Sequence, residues 1–103
     1  MNIKDSINAQ IINESIAQNV ELELQFSDNK AMFYCLKSKN DTVKLVIDLV
    51  ENTINIEVYM FNDSGIDTVE YGFLSEAIRT MKVYSSIQKA YKQILEPLRE
   101  LMS

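Results

Sequence analysis

The chain has no histidine and no tryptophan, and its 103 residues include one cysteine, one proline and two glycines. Each shortage removes a class of chemistry. Without histidine there is no imidazole to act as a general base at neutral pH or as a metal ligand. Serine–histidine and cysteine–histidine nucleophilic sites are excluded with it. Cys35, the single thiol, has no partner for an internal disulfide and cannot complete the usual zinc ligand sets. A lone thiol fits a reducing compartment, so a cytoplasmic location is expected. Gly65 and Gly72 are too few to build a phosphate-binding glycine loop or a dinucleotide fingerprint. No apolar run approaches the ~20 residues of a membrane-spanning helix. The opening Met1-Asn2-Ile3-Lys4-Asp5 lacks the basic-then-apolar order of a signal peptide.

Carboxylates remain, and alone they run glycoside or phosphoryl chemistry. Such sites need a deep cleft in a larger scaffold, so no catalytic residue, no metal and no cofactor is expected. Asn62-Asp63-Ser64-Gly65-Ile66-Asp67 resembles part of a calcium loop in composition. It lacks the glutamate at the twelfth position and an entering helix, so it reads as a turn.

What is present is apolar residues at 47% and charged residues at 24%, enough to close one core over residues 1–103 rather than leave the chain disordered. The net charge is −5, distributed unevenly: residues 1–74 carry −7 and residues 75–103 carry +2. An acidic body repels nucleic acid and anionic lipid and favours solubility or a basic protein partner.

Ile3, Ile7 and Ile11, continued by Ile12 and Ile16, predict a helix from about Lys4 to Gln18, capped by Asp5 or Ser6 and ended by a left-handed Asn19. Val20, Leu22, Leu24 and Phe26 alternate with Glu21, Glu23 and Gln25, the pattern of a strand with one buried face. Ala31–Lys37 reads as a second strand whose phase is open: either Met32, Tyr34 and Leu36 or Ala31, Phe33 and Cys35 face the core. Thr42–Val50 and Thr53–Phe61 form the clearest hairpin, joined by Glu51-Asn52, with Val43, Leu45, Ile47, Leu49, Ile54, Ile56, Val58 and Met60 inward. Asp67–Phe73 adds a short edge strand. A last helix, capped by Ser75 and running to about Leu101, carries the stripe Met81, Tyr84, Ile87, Tyr91, Ile94, Leu95, Leu98 and Met102, with a kink or restart near Leu95 because of Pro97.

The predicted fold is α+β: an N-terminal helix, an antiparallel four- to five-stranded meander and a long C-terminal helix, with both helices on one face of the sheet. The other face is then free. Its centre holds Val46, Val50, Tyr59 and Phe61, framed by Lys44, Asp48, Asn55 and Glu57, with Glu21, Glu23 and Gln25 alongside and Phe33 joining in one phase of its strand; Val46, Asp48, Asn55, Glu57, Tyr59 and Phe61 are the expected partner-binding residues. An apolar centre in a charged frame suits a protein interface, although cross-strand pairing alone also favours such residues. The basic side chains of the last helix are dispersed and not interleaved with aromatics, so direct nucleic-acid binding is not expected. The expected function is therefore a non-catalytic protein-binding module. Its most concrete form is a small acidic inhibitor of the immunity or anti-defence type, bacterial or phage in origin, that occludes a partner surface; the partner would be another protein, basic in character, or a second copy of the chain in a homodimer. The alternatives are a small acidic secretion or assembly chaperone and a small-ligand sensing domain.

Overall fold

The computed structural model describes residues 2–37, 42–50, 53–90, 93 and 96–102. The chain runs α1 (Ile3–Ala17), β1 (Leu22–Ser27), β2 (Ala31–Leu36), β3 (Val43–Val50), β4 (Thr53–Asn62), β5 (Gly65–Tyr71), α2 (Leu74–Ala90) and α3 (Glu96–Met102). The strands make one antiparallel sheet in the order β1-β2-β3-β4-β5, a simple meander. The α+β class and the placement of both helices on one face agree with the sequence pattern. Among the described residues, no helix is long and apolar enough to cross a membrane.

Pairing of β2 with β3 and of β3 with β4 aligns Met32 with Ile47 and Ile56, and Tyr34 with Leu45 and Val58. Because successive side chains alternate faces, one register puts all of these on the same side. That side is the core: Met32, Tyr34, Leu36, Val43, Leu45, Ile47 and Val58 form a single buried cluster with Ile7 and Ile11 of α1 and Ala77, Ile78 and Met81 of α2. The open phase of β2 is thereby settled in favour of Met32, Tyr34 and Leu36. Val58 is fully buried and Ile56 packs against the cluster, whereas Ile54, on the same face, remains 43% exposed near the end of the hairpin.

Polar groups that enter this core are satisfied. Ser15 is buried and donates from Oγ to the carbonyl of Ile11 at 2.6 Å. Tyr34 donates from its hydroxyl to Asn8 Oδ1, and Tyr84 to the carbonyl of Phe61 at 2.9 Å. The two helices are also tied directly: Gln18 Nε2 donates to the carbonyl of Ser75 at 2.8 Å, and Lys82 Nζ donates to the carbonyl of Gln18 at 2.8 Å.

Local expectations meet several corrections. The cap of α1 is Asn2, whose Oδ1 accepts from the Asp5 amide at 2.9 Å, rather than Asp5 or Ser6. The buried stripe of α1 is Ile7, Ile11 and Ser15, so Ile12 and Ile16 stay exposed. Asn19 does end the helix in the left-handed region, with φ 56°. Ser75 lies inside α2, which begins at Leu74. β5 begins at Gly65, whose φ of +135° closes the turn from Asn62; this strand is as long as the pattern suggested but lies two residues earlier. Proline removes an amide donor that the first turn of a helix does not need, and Pro97 sits in the first turn of α3; the kink or restart expected near Leu95 lies outside the described residues. The apolar stripe of the last helix leaves the sheet after Tyr84: Ile87 and Leu98 are exposed. The Glu51-Asn52 turn and the stripe positions Tyr91, Ile94 and Leu95 lie outside the described residues, as does the side chain of Met102.

Candidate functional site: the uncovered sheet face

Residues between the core-facing ones project from the opposite side of the sheet. One row across the strands reads Phe26, Phe33, Val46, Glu57 and Glu70; the next reads Glu23, Cys35, Lys44, Tyr59 and Thr68. Ala31, Asp48 and Asn55 form a third row, and Phe61 pairs with Ile66 at the other end. The six residues expected to bind a partner thus share one face. Five of them, Asp48, Asn55, Glu57, Tyr59 and Phe61, are partly exposed. Val46 is 2% exposed. It lies between Phe33 and Glu57 in its row and between Lys44 and Asp48 along its strand, so the longer neighbours close over it. Val46 supports this surface from beneath and offers little area for contact.

The face is larger than the sequence suggested, for two reasons. First, the β1–β2 register shifts between Leu24 and Phe26, with Gln25 as the extra residue. A bulge of this kind reverses the side-chain alternation beyond it. Phe26 therefore leaves the core side, where its phase with Leu22 and Leu24 had placed it, and meets Phe33 on the uncovered side with ring centroids 5.6 Å apart and planes at 49°. A bulge cannot be read from an alternating run, so this aromatic pair had no signal in the sequence. Second, β5 pairs along its full length with β4 and adds Ile66, Thr68 and Glu70. That signal was available, since Thr68 and Glu70 alternate with Val69 and Tyr71.

The electrostatics of the face are dominated by carboxylates. Glu57 stands directly across from Glu70, and when protonated its carboxyl can donate to the nearby Asp48 carboxylate. Its pKa is raised from the ordinary glutamate value by desolvation first, then by the hydrogen bond with Asp48 and the negative charges of Asp48 and Glu70. Tyr59 is raised in the same direction, by desolvation and then by Glu57 and Asp48. Lys44 is the cation in these rows; its Nζ lies 6.0 Å from the centre of the Phe61 ring, within cation–π range. Chemically, such a face can receive cations and flat apolar groups. Among the described residues, no group of three or more acidic or cysteine side chains is arranged to hold a metal ion. Cys35 is half-buried on this face between Glu23 and Lys44.

No known protein family, curated protein or solved structure matches the chain.

Proposed function

We propose that the chain is a non-catalytic protein-binding module that docks a basic protein on the uncovered face of its sheet. The observation that carries this reading is the composition of that face. Phe26, Phe33, Tyr59, Phe61 and Ile66 supply apolar area, and Glu23, Asp48, Glu57 and Glu70 supply negative charge around it. Interfaces favour aromatic anchors within a polar rim. The carboxylates also repel one another in the free chain, and an arginine or lysine of a partner relieves that repulsion on binding. Occlusion of a basic surface on the partner is the corresponding mechanism, as expected of a small acidic inhibitor. It requires no reactive group on this chain, in line with the absence of histidine.

The test is affinity capture with the full chain from cells of its own source, followed by the same capture with the Tyr59→Ala/Phe61→Ala variant. A single folded partner in stoichiometric amount, lost with the variant and weakened by salt, supports the reading. Equal recovery with both forms places the interface elsewhere, and self-association alone makes the face a homodimer contact.

A further inference from the structure

The edge strand β1 and the helix above it form a second, independent surface. The Lys37 amide donates to the carbonyl of Glu21 at 3.1 Å, so Glu21 turns its backbone groups toward β2. Backbone direction alternates along an antiparallel strand. Glu23 therefore faces β2 as well, and Leu22 and Leu24 direct their N–H and C=O groups away from the sheet, where no described strand pairs with them. The side chains of Leu22 and Leu24 lie on the helix-covered face. Beside them runs a groove of about 380 Å³ lined by Ile12, Ile16, Val20 and Tyr34 among others. Ile16 is 73% exposed, Ile12 50% and Leu24 44%. α1 is thus apolar over a wider arc than it buries, and the surplus overhangs the place of a sixth strand.

We infer that this edge receives an extended segment of another protein in which a basic residue is flanked by apolar ones. A segment hydrogen-bonded to Leu22 and Leu24 places its own paired side chains under Ile12 and Ile16. The residue between them emerges on the opposite face beside Glu23. Glu21 and Glu23 outnumber Lys37, the cation that lines the groove, so the central residue is basic. A second copy of this chain is a poorer occupant. An antiparallel self-pairing that matches Leu22 with Leu24 sets Glu23 against Glu23; one that matches Leu22 with itself sets Glu21 against Glu23; one centred on Leu24 runs into the bulge at Gln25. Like charges directly opposite are destabilising.

The surface lies at a different edge and face from Tyr59 and Phe61, so it stands or falls separately from the reading above. The probe is a capped peptide of alternating valine and lysine, titrated into the isotope-labelled full chain and followed by amide NMR, with valine–glutamate as the control. The expected result is shifts and slowed hydrogen exchange at the Leu22 and Leu24 amides with the lysine peptide. Ile16→Lys, at an exposed position that leaves folding intact, weakens binding about tenfold or more. Glu23→Lys transfers the preference to the glutamate peptide. No shift at about 1 mM peptide, a concentration that reveals even weak binding, overturns the inference. So do shifts centred on Tyr59 and Phe61, or protected Leu22 and Leu24 amides in a free protein that sediments as a dimer.

Discussion

Replacing Glu57 by glutamine removes one charge from the most crowded group on the uncovered face, and its effect can be worked out in sign and size. Glu57 has Glu70 directly opposite and the Asp48 carboxylate close by. Each like-charge contact across strands is worth about 0.2–1 kcal/mol, so relief of two gives about 1 kcal/mol at neutral pH. In a domain of this size that raises the melting temperature by about 4–8 °C. Glutamine keeps the shape, and its amide donates to Asp48 as the protonated Glu57 carboxyl would, so the variant mimics the protonated state. The pH dependence follows from the raised pKa. The folded state holds the Glu57 proton more tightly than the unfolded state, so stability falls as pH rises from the ordinary value of 4.5 through the raised one. Below 4.5 both states are protonated and the penalty is absent; above the raised value it is fully present. The gain from Glu57→Gln should therefore appear near pH 7 and vanish by about pH 4. Thermal or urea unfolding of both proteins at the two pH values measures it. A variant less stable than the parent at pH 7, or equally stabilised at both, would refute the electrostatic account of this face.

Tyr59→Ala with Phe61→Ala should leave the melting temperature nearly unchanged, because both rings project away from the buried cluster; unfolding of the double variant by calorimetry would assign them to the core instead. Met81 is fully buried where α2 meets the sheet, and Met81→Ala should cost about 2–5 kcal/mol in chemical denaturation, a large part of a small domain's stability. Gly65 has φ +135° with open space where a Cβ would stand, so Gly65→Ala should cost about 1 kcal/mol or more through backbone strain alone, whereas Gly72→Ala, also without a clash, should be tolerated.

How far the sequence reaches is clearest in β3 and β4. Their alternation of long apolar and polar residues determines one buried face, and a one-residue slip would expose Leu45, Ile47 and Val58 together. The sequence likewise determined the helices, the left-handed Asn19 and the place of Pro97 in a first helical turn, since these depend on backbone preferences within a few residues. It also excluded histidine-based chemistry, because composition is independent of fold. The phase of β2 was not legible, because Ala31-Met32-Phe33-Tyr34-Cys35-Leu36 is apolar on both faces; only its pairing with β3 selects Met32, Tyr34 and Leu36 for the core. Nor was the bulge at Gln25, which turns Phe26 toward Phe33 through a register shift between two strands. The burial of Val46 and the exposure of Ile12 and Ile16 were decided the same way. Whether an apolar side chain is covered depends on neighbours distant along the chain: Phe33 and Glu57 beside the first, and an edge strand with no described strand beyond it beneath the others.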